Sequence, residues 1–252
     1  MRSLVQQLVA EGDSLLQLPR EPVRFTGNPD ADRLLNQIER YPHAFLFGCL
    51  VDRQVAAERA WLLPYELAQR NRTFEIEALR TLTEQDWLRL LSDPSPLHRF
   101  PPTMATVLFR ATHRLAERYQ SDASLIWAGT PASATLVRRF LEFHGAGPKI
   151  ATMAANILVR HFHVPLSDYF YIDISADVQV RRVMERLGFV EPGASVDVVI
   201  YAAREANPNF PGVFDVVLWE LGRTLCRPRQ PDCGQCRFQA GCRFAQATRA
   251  AK

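Results

Sequence analysis

The sequence predicts an all-α chain, and three observations carry that prediction. Apolar residues recur at helical spacing in segment after segment, as in Val180, Val183, Met184 and Leu187. The gaps between segments hold helix-start and helix-stop residues, such as the Thr83–Asp86 pair and Gly188. No convincing set of alternating segments suggests a sheet, and no repeat or low-complexity stretch interrupts the pattern.

Composition sets the bounds. The chain has 252 residues, enough for one large or two modest domains. Apolar residues are 47% and charged residues 23%, an ordinary globular balance. No apolar run reaches membrane-span length, so no membrane partner is expected. The opening MRSLVQQLVAEGDSLLQ has acidic residues and lacks a signal peptide's apolar core, so an intracellular, cytoplasmic location is expected. A net charge of +3 permits a nucleic-acid partner without requiring one.

The elements follow in order. Leu4, Leu8 and Leu15 suggest a first helix, broken near Gly12, and Pro19 to Pro29 reads as a linker. Asp30 can cap a helix carrying Leu34, Leu35 and Ile38. The apolar run from His43 to Val51 predicts a buried helix continuing through Asp52, Arg53 and Gln54 toward Trp61, with a break or new start at Pro64. Thr83 and Asp86 predict a capping box, and the prolines around 94–96 and 101–102 predict turns. An amphipathic helix is expected from Thr103 to Tyr119. After an irregular stretch beyond Arg160, helices are expected up to Gly188, from Ser195 to Ala206 and from Val213 to Leu225.

The most informative stretch is Ser133 to Arg160. One helix carries Leu136, Val137, Phe140 and Leu141 on a face, with Thr130 as cap, Pro131 in the first turn and Gly145 as stop. A second opens at Pro148 and carries Ile150, Met153, Ala154, Ile157 and Leu158. Between them stands Gly145-Ala146-Gly147. Two glycines let the backbone approach a ligand closely, and the next helix's first amides lack intrahelical partners. An anion such as a phosphate fits there, although a corner that only packs accounts for the hairpin equally well.

Lys149 tips that balance. Of thirty basic residues only Lys149 and Lys252 are lysines. Arginine cannot act as an amine nucleophile, whereas a lysine in a helix's first turn suits Schiff-base chemistry. A bias toward arginine would leave the same count.

Four of the five cysteines lie together as Cys226-x6-Cys233-x2-Cys236-x5-Cys242. In an intracellular chain such an array suggests metal or catalysis rather than disulfides, and four thiolates suit either zinc or an iron–sulfur cluster. Zinc ribbons usually show two paired knuckles, and here only Cys233 and Cys236 pair. Cys49 sits in the apolar run and reads as a small buried residue.

At these residues the chain resembles the helix–hairpin–helix DNA glycosylases of the endonuclease III type. The resemblance rests on His144-Gly145-Ala146-Gly147-Pro148-Lys149-Ile150-Ala151, on the cysteine spacing, and on the flanks Leu221-Gly222-Arg223 and Pro231-Asp232-Cys233-Gly234-Gln235-Cys236. It covers roughly Asp30 to Phe244. It implies two helical domains with a DNA-binding cleft between them: a six-helix barrel over 31–163, and a cluster domain from 1–30 with 164–252.

The resemblance also implies a base-excision glycosylase with AP-lyase activity, in which Lys149 attacks the sugar and Gly145, Ala146 and Gly147 grip the DNA backbone. Oxidised pyrimidines are the expected substrates, duplex DNA with a damaged or abasic nucleotide the expected partner, and a monomer the expected state. Cys226, Cys233, Cys236 and Cys242 would hold a [4Fe–4S] cluster, presenting Arg227 and Arg229 to phosphates. Asp177, opening the segment through Gly188, matches the family's aspartate. Gln54 lies where the family places a residue that fills the gap left by a flipped base.

Two departures stand out. The Lys149–Asp177 interval is longer than usual, with the excess between Pro165 and Ile174. It brings in Tyr169, Phe170 and Tyr171, which either line a base pocket or anchor the loop, and it makes Asp173 a rival carboxylate. Pro96 to Pro102 stands where the family has a glycine-containing loop. Two other readings share these features: a monofunctional uracil, mismatch or adenine glycosylase, and a non-catalytic DNA-binding or redox-sensing module.

Overall fold

The computed structural model describes residues 1–250, so Lys252 lies outside the described residues. These residues form thirteen α-helices joined by turns and short 3-10 segments, with no strand among them.

Helix α1 (Arg2–Leu16) buries Leu4 and Leu8 and runs unbroken through Gly12. That glycine serves close approach instead of a break, since a Cβ would lie 2.3 Å from the Val213 carbonyl oxygen. α2 (Pro29–Asn36) is capped by Asn28 and not by Asp30. The Asn28 side chain accepts from the amides of Asp30 and Ala31, while Pro29 takes the first helical position, where no amide is needed.

α3 (Pro42–Val51) is buried along its whole length. It stops at Val51 rather than continuing through Gln54. The Arg53 amide turns back onto the Val51 carbonyl at 2.8 Å, and Gln54 takes a left-handed φ of 55°. α4 (Ala57–Asn71) passes through Pro64 without stopping. The ring is buried, and its packing offsets the backbone bond that proline removes. α5 (Ile76–Leu79) is a single turn. α6 (Glu84–Ser92) opens with the expected capping box. α7 (Pro101–Arg118) takes both prolines into its first turn, so it begins ahead of Thr103.

α8 (Ser133–Leu141) begins after Thr130, whose φ of 49° removes it from a capping geometry. The Asp168 carboxylate instead accepts from the Ser133 amide and hydroxyl. α9 (Pro148–His161) follows the hairpin. α10 (Val178–Leu187) is capped by Asp177 and closed by Gly188 at φ 94°. α11 (Val196–Ala206) is capped by Ser195. A 3-10 turn over Pro211–Phe214 leads into α12 (Asp215–Thr224). Beyond the cysteines comes α13 (Arg243–Ala250), which the sequence patterns did not single out.

Contacts divide the chain into two compact units. The hairpin unit comprises 20–131 and 138–154, and the cysteine unit comprises 1–19, 132–137 and 155 onward. The motif-based boundaries at 31 and 163 remain a proposal beside this division.

The hairpin unit is built around α3. Phe47 meets Trp87 edge-on at 5.9 Å and Phe45 meets Trp61 at 5.7 Å, all four rings buried. Truncating one such aromatic removes about 3–5 kcal/mol of stability. In the cysteine unit α10 packs on α12. Gly222 permits the approach, since a Cβ there would lie 2.8 Å from the Gln179 Cβ.

Candidate nucleic-acid interface and lysine site

The hairpin has the local geometry its glycines dictate. Gly145 adopts φ 88°, a region open to glycine at little cost. The Ala146 amide closes the turn on the Phe143 carbonyl at 2.9 Å. A Cβ on Gly147 would meet nothing within 4 Å, so this face of the turn is open. Pro148 and Lys149 follow in the first turn of α9, where backbone amides have no partner within the helix.

Three successive residues at the end of α3 hold three other segments of the hairpin unit. The Val51 carbonyl binds His98 Nε2 at 3.2 Å, which pins the Pro96–Pro102 segment. Asp52 Oδ2 accepts from Lys149 Nζ at 2.8 Å. Arg53 Nη2 donates to the Gly145 carbonyl. Gln54, the next residue, is exposed. Lys149, Gly145 and the loop bearing Gln54 are therefore one bonded assembly. The roles of Asp52, Arg53 and His98 were not legible from local sequence, since each bond joins residues far apart in the chain.

Asp177 lies in the cysteine unit. Its Oδ1 accepts from the amides of Gln179 and Val180 at 2.8 and 2.9 Å, and among the described residues no hydrogen bond reaches Oδ2. Behind it sits Asp215, buried and bonded to the Ser175 amide and hydroxyl. Burial first, and the neighbouring Asp177 charge second among the raising causes, push the Asp215 carboxyl up to about 6. A lone aspartate opening a helix gave no sign of this in the sequence.

The rival carboxylate, Asp173, has both oxygens on Arg204, at 2.7 and 2.8 Å. Its segment is fixed further by Asn156 Nδ2 to the Asp173 carbonyl at 2.8 Å. The three aromatics divide. Tyr169 stacks on Phe210 at 4.8 Å while staying partly open to solvent, and Phe170 and Tyr171 are more exposed still.

The four clustered cysteines line a single pocket with Leu187, Leu221 and Phe244. None of them forms a disulfide, and Cys49 is fully buried elsewhere, in α3. Among the described residues, no three His, Cys, Asp or Glu side chains converge as a single-ion site. Two arginines of α10 grip the cysteine loop. Arg182 Nε donates to the Cys226 carbonyl at 2.9 Å, and Arg186 Nη1 to the Arg227 carbonyl at 2.7 Å. Arg227 and Arg229 are exposed. No described helix is long and apolar enough to cross a membrane.

This arrangement of helices is the fold of the endonuclease III type of DNA glycosylase. A trapped endonuclease III–DNA covalent intermediate, an estranged-adenine complex, superposes with a TM-score of 0.65 at 16% identity, covering 99% of both chains. A thermostable thymine-DNA glycosylase also gives 0.65, at 13% identity over 97% of this chain and 98% of that one. In sequence, an adenine DNA glycosylase of Arabidopsis thaliana is 27% identical over 136 residues, 52% of this chain but only 20% of that protein. No protein-family model matches the chain.

Proposed function

We propose that this chain is a base-excision DNA glycosylase with AP-lyase activity, acting on oxidised pyrimidines in duplex DNA as a monomer. The observation that carries the reading is the chain's sole internal lysine, in the first turn of the helix after the glycine hairpin. The sugar carbon of a damaged nucleotide is unreachable in the base stack, so the nucleotide flips out before reaction. Gly145, Ala146 and Gly147 hold phosphates through backbone amides, which position the DNA without reading its sequence. Gln54 fills the gap in the stack.

Lys149 attacks the sugar carbon and displaces the base. The resulting imine acidifies the adjacent sugar position, and β-elimination cuts the strand. Positive charge builds on the sugar as the glycosidic bond breaks, and the Asp177 carboxylate stabilises it. The free Oδ2 supports Asp177 for this role, and the ion pair to Arg204 weighs against Asp173.

Cys226, Cys233, Cys236 and Cys242 would hold a [4Fe–4S] cluster, which the four thiols around one pocket fit. When bound it supplies a rigid, electron-transfer-capable centre that orders the loop carrying Arg227 and Arg229. Those arginines then face phosphates.

The similarity to an adenine DNA glycosylase favours a second reading, a monofunctional enzyme. Base release and strand scission, measured separately on duplexes carrying an oxidised pyrimidine, uracil or a mispaired adenine, decide between them. The first reading expects both products from the oxidised pyrimidine. Base release without scission, from adenine or uracil, would establish the second.

A further inference from the structure

We infer that Asp52 is a positioning residue that acts through Lys149, holding the amine in place and taking its proton as it attacks. The inference deepens the proposed function and rests on Lys149 being the nucleophile.

Lys149 Nζ lies 2.8 Å from Asp52 Oδ2. The Asp52 side chain is 11% exposed and that of Lys149 42%, so the carboxylate is the fixed, covered partner and the amine the accessible one. Asp52 ends α3, a helix buried throughout, and its own amide bonds the Cys49 carbonyl at 3.3 Å. The flanking residues are fixed too, Val51 on His98 and Arg53 on Gly145. The carboxylate is thus presented to the lysine by the core of the hairpin unit.

The chemistry needs such a group. An ammonium has no lone pair, so Lys149 must lose a proton before it can attack. Asp52 Oδ2 is already its hydrogen-bond acceptor, within transfer distance. One proton passes from the ammonium to Asp52. The freed electron pair forms the bond from Nζ to the sugar carbon, and the carbon–base bond breaks with its pair going to the base. A second proton from Nζ neutralises the departing base. The products are a neutral aminosugar, a protonated Asp52 and a neutral base. This assignment leaves Asp177 to charge stabilisation.

The test is single-turnover borohydride trapping on a duplex with one abasic site, using the full chain and four proteins: wild type, Asp52→Asn, Asp52→Glu and Lys149→Gln. DNA affinity by anisotropy and helical content by circular dichroism accompany each. Asp52→Asn should bind DNA like wild type and trap about a hundredfold more slowly. Asp52→Glu, which restores a carboxylate, should recover part of that rate. Trapping by Asp52→Asn at the wild-type rate overturns the inference and leaves the proposed function standing. Equal losses in Asn and Glu variants, with DNA affinity lost alongside, would make Asp52 a structural brace and overturn it too. A wild type that binds the duplex and never traps removes the proposed function, and this inference with it.

Discussion

Arg53 donates to the carbonyl of Gly145, 92 residues further along the chain, and so ties the end of α3 to the glycine hairpin. The hairpin's shape is therefore held by the core and not by its own residues alone. The two glycines answer to different demands. A Cβ on Gly145 would meet Arg53 Nη2 and Val107 Cγ2 at 3.1 Å in a left-handed backbone, whereas Gly147 faces open space. Gly145→Ala should cost about 1–2 kcal/mol of stability in urea unfolding. Gly147→Ala should leave stability near wild type and weaken duplex binding by crowding a phosphate. Equal stability losses at the two positions would contradict this division.

Asp177 caps α10, and substitution can separate that cap from the catalytic role proposed for it. Its Oδ1 caps α10, and an asparagine there keeps an acceptor while losing the charge. Asp177→Asn should hold stability close to wild type and reduce base release by at least tenfold. Asp177→Ala should add a capping loss of about 1 kcal/mol. Base release unchanged in the Asn variant would assign Asp177 to capping alone.

The cysteine loop depends on α10. Arg186 donates to the Arg227 and Pro228 carbonyls at 2.7 and 3.0 Å, and its guanidinium lies over the Phe244 ring. Arg186→Ala should loosen the loop and, in protein reconstituted with the proposed iron–sulfur cluster, hasten loss of its visible absorption under chelator. Decay at the wild-type rate would show that the thiols hold the loop without that arginine.

The local logic of the chain was readable from its sequence. The Thr83–Asp86 box, the Gly188 stop and the hairpin glycines each rest on residues within one turn of each other. Local sequence misplaces two caps, at Asp30 and Thr130, but most of what stayed hidden depends on residues distant in sequence. Gly12 reads as a helix break until Val213 is seen against it. Pro64 reads as a break until its ring is placed in the core. The end of α3 reads as a continuing helix because Asp52 and Arg53 reveal their purpose only through Lys149 and Gly145. Asp215 looks like any acidic residue in a first turn until burial sets it apart.

That burial has a consequence in solution. The folded-state value of about 6 for Asp215 lies above the ordinary carboxylate value of 3.8, so the folded protein holds this proton more tightly than the unfolded chain does. The contribution is fully present below the unfolded value and is lost as pH rises toward 6. It amounts to about 3 kcal/mol across that window. Unfolding midpoints between pH 4 and 7 should therefore change less with pH in Asp215→Asn than in wild type. Parallel pH profiles would place the ionised carboxylate comfortably within the fold.

The proposed reaction requires Lys149 to form a covalent imine with DNA. Borohydride trapping of wild type and Lys149→Gln, on duplexes with an oxidised pyrimidine, would capture that imine. Wild type should give a covalent protein–DNA adduct and Lys149→Gln none, while the variant still binds the duplex. An adduct of equal yield from Lys149→Gln, or base release by wild type with no adduct at all, would contradict it.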